Sequence, residues 1–224
     1  VILTIGGIKG GTGKTTIATN FAAIAAGLGG TVLLVDADEQ ESASAFAAMR
    51  NDCYPDHPQV TTIKLSGQGV RHEVERLARK YDHIVIDTGG RDTTSQRAAL
   101  SVSDRVLVPF APRCFDVWTV SQVAVLIDMM KAISPSLSAY ACLNRADPPG
   151  QGSDNEDACR LIAADPRGSI FLLDESPIGN RKAFAHAASA GLAVTELRRE
   201  LANERASQEI MTLYRRCFDV NVSS

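Results

Sequence analysis

The sequence predicts an α/β fold: a doubly wound, mostly parallel sheet flanked by helices. Three observations lead there. Short runs that are apolar at nearly every position recur along the chain, at Val1–Ile5, Thr31–Val35, His83–Asp87 and Ser103–Phe110, and strands of that kind are buried on both faces. Between them lie segments whose apolar residues recur at helical spacing, so strand and helix alternate. Two of the runs end in an aspartate, Asp36 and Asp87, at the end of the strand where open α/β sheets gather their ligand-binding groups.

The elements follow in order. Val1–Ile5 is the first strand. A helix beginning near Gly13 carries Ile17, Phe21, Ile24 and Leu28 on helical spacing and stops at Gly29-Gly30. The strand Thr31–Val35 runs into Asp36-Ala37-Asp38-Glu39-Gln40, and an alanine-rich helix follows through Arg50. Asn51–Pro58 is a polar turn with two prolines. Val60–Leu65 reads as a less buried strand. Val70–Tyr81 reads as a helix whose mixed charges describe a solvated face. After His83–Asp87 and Ser103–Phe110 comes a largely apolar helix, Asp116–Ile133, then a strand from Leu137 to Asn144. Residues 146–157, rich in Pro, Gly, Asp and Asn, form a loop, and Ile170–Leu173 is the last strand. The tail Arg198–Phe218 is helical by composition, but Leu197 and Ile210 would sit roughly 140° apart on one straight helix, so two helices are expected.

A chain of 224 residues, 45% hydrophobic, is long enough for one sizeable core. Residues 1–224 are read as a single domain, with 219–224 a disordered tail. The formal net charge of −3 excludes a globally basic nucleic-acid binder, so any polyanion binding must come from a local patch. Five cysteines and four histidines are dispersed without metal-ligand or disulfide spacing, which points to reduced thiols in the cytoplasm. The most apolar stretch, Phe21 to Val35, is shorter than the roughly 18 residues a membrane span needs. No signal peptide is visible, so no membrane role is expected.

The chemistry concentrates at Gly7-Ile8-Lys9-Gly10-Gly11-Thr12-Gly13-Lys14-Thr15-Thr16. Glycines between a strand and a helix let successive N–H groups turn toward one anion, and the helix dipole points its positive end at the same place. In such a loop Lys14 reaches the β- and γ-phosphates and the Thr15 hydroxyl holds Mg²⁺. Ile84-Val85-Ile86-Asp87 is the complementary strand, whose carboxylate faces the metal.

The loop departs from the strict G-x-x-x-x-G-K-[ST] pattern, because Ile8 occupies the first glycine position and a second lysine, Lys9, stands at the entrance. With Lys9–Thr16, Asp36–Gln40, Ile84–Asp87 and the late Gly191-Leu192-Ala193-Val194-Thr195-Glu196, the chain resembles the ParA/MinD family of deviant Walker A ATPases over nearly its whole length. It is most similar to small ParA-type partition ATPases without an N-terminal DNA-binding domain.

The resemblance implies slow ATP hydrolysis with ATP and Mg²⁺ as cofactors. Gly10, Gly11, Thr12, Gly13, Lys14, Thr15 and Thr16 would cradle the phosphates, and Thr15, Asp36 and Asp87 would hold the metal. Asp38 would orient the attacking water, although a helix-capping role for it is also open. Lys9 would cross a homodimer interface to the partner's nucleotide. Asn144 would contact the base, unless it simply forms a turn after its strand; Arg145 and Pro177 would join the nucleotide site.

The resemblance further implies an ATP-bound dimer that binds DNA without sequence preference on the nucleoid. A ParB-like centromere-binding partner would release it by stimulating hydrolysis, and DNA would thereby be segregated. The candidate DNA contacts are Arg181, Lys182, Arg198, Arg199, Arg205, Arg215 and Arg216, since residues 181–224 carry seven basic against five acidic side chains. A MinD-like membrane cycle is the alternative, but Arg215-Arg216-Cys217-Phe218 offers little apolar payload for an anchor. A conjugation or secretion accessory ATPase shares the same chemistry. Where the family has proline after the Walker B aspartate, this chain has Gly89-Gly90-Arg91. Two glycines open φ > 0 conformations, which predicts a second switch loop that is mobile without nucleotide, with Arg91 serving the phosphates or pairing with Asp92.

Overall fold

The computed structural model describes residues 1–148 and 153–218, with the side chains of 114–117 and 199 left out. The expected tail at 219–224 lies outside the described residues. The strands are β1 (Ile2–Ile5), β2 (Val32–Ala37), β3 (Thr61–Lys64), β4 (His83–Thr88), β5 (Arg105–Phe110), β6 (Ser138–Ala146), β7 (Phe171–Leu172) and β8 (Ile178–Gly179). The helices are α1 (Lys14–Gly27), α2 (Ser42–Cys53), α3 (Gly69–Leu77), α4 (Thr94–Val102), α5 (Cys114–Lys131), α6 (Asp154–Ala163), α7 (Lys182–Ser189) and α8 (Glu204–Phe218). The sheet order is β3-β2-β4-β1-β5-β6-β7, with β8 pairing the far end of β6. Every one of these pairings is parallel.

The continuous apolar runs are explained by what covers the sheet. Leu3, Leu34, Val85 and Leu107 point to one face and pack under α1, α7 and α8. Their neighbours point the other way: Val106 and Val108 meet α5 and α6, while Leu33, Val35, Ile84 and Ile86 meet α3 and α4. Period-two alternation is present, but both sets are apolar because both faces are dry. Helix α1 is buried nearly all round for a related reason: it lies between the sheet and α8, and Phe21 meets Tyr214 and Phe218 edge-on with ring centroids 5.5 and 5.8 Å apart.

The expected break in the tail is present. A 3-10 turn at Arg199–Leu201 precedes α8, and Asn203 accepts the Ala206 N–H at 2.9 Å to start that helix. Three expectations need correction. The loop at 146–157 is shorter, because α6 starts at Asp154, where three carboxylates in its first turn complement the helix N-terminus. The polar turn after α2 begins only at Tyr54. Ile170–Leu173 is not the last strand: β7 has two residues, and β8 follows it as two residues paired to β6. A pair so short has no periodicity to read.

Candidate functional site

Register brings the motifs together. β4 lies between β1 and β2, with Asp87 beside Ile5 on one side and beside Asp36 on the other. The glycine loop leaves β1 at this edge, and the chain lies to one side of β1 in β2–β4 and to the other in β5–β7. Crevices at such reversals are where open parallel sheets bind ligands.

Gly11 and Gly13 adopt φ of +78° and +89°, which side-chain-bearing residues rarely do. The turn of the loop therefore depends on them. Lys14, the first residue of α1, is 5% exposed, and its ammonium donates to the Lys9 carbonyl at 2.7 Å. Burial lowers its pKa, against the attraction of Asp87 and Asp38. The lysine is thus poised over its own loop, beside the carboxylates.

Asp87 is fully buried, and neither carboxylate oxygen makes a hydrogen bond of acceptable geometry. Burial raises its pKa to about 7; the nearby Thr15 hydroxyl and Lys14 oppose this, whereas Asp36 and Asp38 add repulsion. Two unclaimed oxygens near a hydroxyl suit a hard divalent cation that completes its shell with water and phosphate oxygens. Among the described residues no group of three or more His, Cys, Asp or Glu could hold a metal, so this would be a partial site that needs ligand oxygens.

Asp36 and Asp38 divide differently from expectation. It is Asp36, 2% exposed, that caps α2: its Oδ2 accepts the Ser44 N–H at 2.8 Å, and its Oδ1 accepts the Asp38 N–H at 3.3 Å. Each of its oxygens already accepts one bond, whereas those of Asp87 accept none, so of the three expected metal ligands Asp36 is the one also engaged in holding a helix. The Asp38 carboxylate accepts the Gln40 N–H at 3.1 Å and is half-buried, turned toward Gly89.

The Gly89-Gly90 loop is close-packed. A Cβ on Gly90 would lie 2.6 Å from the Gly10 nitrogen, and one on Gly89 would lie 3.2 Å from Asp38 Oδ1. At Gly90 glycine is needed for space against the phosphate loop, and neither glycine takes the φ > 0 conformation that the pair makes available. The Arg91–Asp92 pair is not formed either, because Asp92 binds Arg97 through two contacts at 2.8 and 2.6 Å.

Asn144 is 6% exposed and lies beneath the loop, donating from Nδ2 to the Thr12 carbonyl at 2.6 Å. Arg145 follows at φ 54°, in an irregularity between Asn144 and Ala146 where β6 meets β8; such bulges re-aim a side chain. Arg145, Lys9, Gly10, Gly11, Ala111, Arg113 and Asn180 line an open pocket of about 330 Å³ at the mouth of the loop. Sequence reasoning missed Arg113 and Asn180. Arg113 follows Pro112 just beyond β5 and is held by Asp147 at 2.8 and 3.0 Å. Asn180 arrives with β8, through its N–H to the Ala146 carbonyl at 3.1 Å. Pro177 is exposed at the entry to β8.

The basic candidates are scattered over α7, the 191–201 segment and α8. Lys182, Arg198, Arg205 and Arg215 are exposed. Arg181 is bound to Glu209, with its Nε at 2.9 Å, and Arg216 lies 3.6 Å from Glu175. The Arg199 side chain lies outside the described residues. Among the described residues no helix is long and apolar enough to cross a membrane.

Residues 3–210 match the CobQ/CobB/MinD/ParA nucleotide-binding domain. The chain is 34% identical over 200 residues to the maintenance of carboxysome distribution protein A of Gloeobacter kilaueensis, covering 88% of this chain and 84% of that protein. It is 29% identical over 179 residues to the chromosome partitioning protein ParA of Myxococcus xanthus, covering 63% of each. Among solved structures, apo McdA of Cyanothece is similar with a TM-score of 0.77 at 16% identity, over 93% of this chain and 96% of that one. MinD of Pyrococcus horikoshii, complexed with Mg-ADP, gives 0.72 at 16% identity, over 96% and 94%. At those identities the structures show the fold.

Proposed function

The chain belongs to the CobQ/CobB/MinD/ParA nucleotide-binding family, and on that premise we propose that it is a ParA-type positioning ATPase. ATP is its substrate and Mg²⁺ its cofactor. The observation that carries this reading is the buried, unbonded Asp87 carboxylate beside Lys14, Thr15 and Asp38 at the mouth of a glycine loop. Asp87 and Thr15 would hold Mg²⁺, which supplies charge neutralisation at the phosphates. Phosphoryl transfer asks the protein mainly for position and charge. Gly10–Thr16 present N–H groups, Lys14 exchanges the Lys9 carbonyl for a phosphate oxygen, and Asp38 orients the attacking water. Asp36 keeps α2, and with it Asp38, in register. Arg145 and Pro177 flank the nucleotide.

Lys9 reaches across an ATP-dependent homodimer, and the dimer binds DNA without sequence preference through Lys182, Arg198, Arg205 and Arg215, with Arg181, Arg199 and Arg216 secondary. A ParB-like partner stimulates hydrolysis and releases the dimer from the nucleoid, segregating DNA. The carboxysome-distribution relative, which matches 88% of the chain, favours a second reading in which the cargo is a protein body and the same cycle positions it.

The test is phosphate release with Mg²⁺, light scattering of wild type and Lys9→Ala with a slowly hydrolysed ATP analogue, and retardation of unrelated DNA duplexes with ATP or ADP. The expected results are slow turnover, a dimer in the wild type alone, and retardation that requires ATP and weakens steeply with salt. A Lys9→Ala protein that still dimerises removes the cross-interface role, and equal retardation with ADP removes the DNA switch.

A further inference from the structure

We infer that Asn144 is a positioning residue of the phosphate loop, its amide bracing the peptide that precedes Gly13. This rests on the proposal that Lys9–Thr16 binds a nucleoside triphosphate.

Asn144 leaves the end of β6 almost fully buried, at 6% exposure. A carbonyl oxygen can only accept, so the atom 2.6 Å from the Thr12 oxygen is the amide nitrogen as a donor. That bond ties β6 to the residue immediately before Gly13. The fit leaves no slack: a Cβ on Gly13 would lie 2.2 Å from the same nitrogen. Gly13 is therefore constrained twice, by its φ of +89° and by the amide pressed against it. Thr12 and Gly13 in turn set the start of α1, since the Gly13 carbonyl accepts the Ile17 N–H at 3.0 Å.

A donor held there fixes the peptide between Thr12 and Gly13, one of those whose orientation decides whether successive N–H groups converge on an anion. Preorganised donors of this kind lose little on binding, whereas a loop released from its brace must be ordered by the ligand. One N–H of the amide is committed to the loop in this way, whatever its second N–H and its oxygen meet.

The two roles differ in which ligands feel the loss. The experiment measures Mg²⁺-dependent binding of ATP, GTP and inorganic tripolyphosphate to wild type, Asn144→Ala and Asn144→Asp by calorimetry. Amide hydrogen exchange over residues 10–14 is measured alongside, without ligand. Loss of one buried hydrogen bond corresponds to about a tenfold fall in affinity. Asn144→Ala should weaken tripolyphosphate as well as both nucleotides, while exchange at residues 10–14 rises and the melting temperature falls by no more than one buried hydrogen bond accounts for. Asn144→Asp, which sets a carboxylate against a carbonyl oxygen, should weaken all three further.

A loss confined to ATP, with tripolyphosphate unaffected and exchange unaltered, would overturn the proposal and make Asn144 a base reader. Unchanged affinities with unchanged exchange would overturn it as well. If the wild type binds none of the three, the nucleotide reading fails separately, and exchange at residues 10–14 still decides whether Asn144 braces the loop.

Discussion

Glu196, partly buried, and Asp87, wholly buried, are both withdrawn from water, and they are treated in opposite ways. Glu196 belongs to a satisfied cluster. Arg50, with 0% of its side chain exposed, donates to both Glu196 oxygens at 2.8 and 2.7 Å, and its remaining contacts go to the carbonyls of Pro58 and Gly191. The Ala193 N–H adds a further bond to Glu196 at 2.7 Å. Burial pushes Glu196 upward, but the Arg50 and Ala193 bonds outweigh it and its pKa falls below the ordinary value. Asp87 has no such bonds, and burial takes its pKa to about 7. A buried carboxylate whose lone pairs are all claimed is scaffolding, whereas one left unclaimed carries a penalty that only a ligand relieves. The late Gly-x-x-Val-x-Glu segment is thereby explained as structure, whereas Asp87 keeps the unclaimed oxygens that the proposed metal role asks for.

The largest effect should come from Asp38, at the functional pole. Asp38→Ala removes the group proposed to orient water but touches neither the loop nor the Asp87 carboxylate. Turnover should fall by roughly 10²–10⁴-fold while ATP still binds and the melting temperature holds. Full turnover in this variant would move the catalytic assignment elsewhere and weaken the contrast at its functional end.

Next in size is Arg50→Ala, which leaves the partly buried Glu196 without its cation. Breaking one partner of a buried pair costs about 3–5 kcal/mol. A chemical denaturation midpoint measured without nucleotide should drop accordingly. If the variant is as stable as wild type, the cluster is not scaffolding and the comparison fails.

The two carboxylates should also tilt stability in opposite directions with pH. Glu196 has a depressed folded pKa, so its contribution is complete above the ordinary carboxylate range and is lost as pH falls through the folded value. Asp87 has a raised one: between about 4 and about 7 the folded state binds more protons than the unfolded state, so stability declines as pH rises. A shift of that size corresponds to at most about 4 kcal/mol. Thermal unfolding of metal-free wild type and Asp87→Asn from pH 4 to 8 checks it. Asn should flatten the decline, leaving the nucleotide-free protein more stable than wild type at pH 8. Parallel curves would mean that Asp87 is not held in the strained state described.

How much of this was legible in the sequence follows from the range of each interaction. The glycine loop, the apolar strands and the terminal aspartates are local patterns, and the fold class and the convergence of Lys14, Thr15 and Asp87 follow from them. Arg50 was not legible: it looked like the last residue of an alanine-rich helix, and its partner lies 146 residues away. Nor was the capping role of Asp36, which reaches across eight residues to Ser44; sequence offered Asp38 for that position because it stands nearer the helix. β8 and its Asn180 were hidden because two residues show no period. Asn144 was noticed, but only contact with Thr12 reveals what its amide does.

The smallest effects test the glycines at both poles. Gly191 and Gly90 each press against another backbone. A Cβ on Gly191 would lie 2.6 Å from the Arg50 nitrogen, and φ there is +70°; a Cβ on Gly90 would lie 2.6 Å from the Gly10 nitrogen, without positive φ. Backbone cannot swing aside as a side-chain tip can, so both alanine variants force a shift costing about 1–3 kcal/mol. Gly191→Ala should be the worse of the two, because strain adds to collision. Gly89→Ala meets only the Asp38 carboxylate, at 3.2 Å, which can give by a few tenths of an ångström. Melting temperatures of the three variants without nucleotide should therefore fall in the order Gly191→Ala, Gly90→Ala, Gly89→Ala. ATP affinity should fall only for Gly90→Ala, since that collision alone displaces the phosphate loop. A Gly191→Ala protein that keeps its stability but loses ATP would reverse the assignment of the two poles. Equal behaviour of Gly89→Ala and Gly90→Ala would show that the 88–92 loop is not seated on Gly10, leaving the contrast to rest on Asp87 and Glu196 alone.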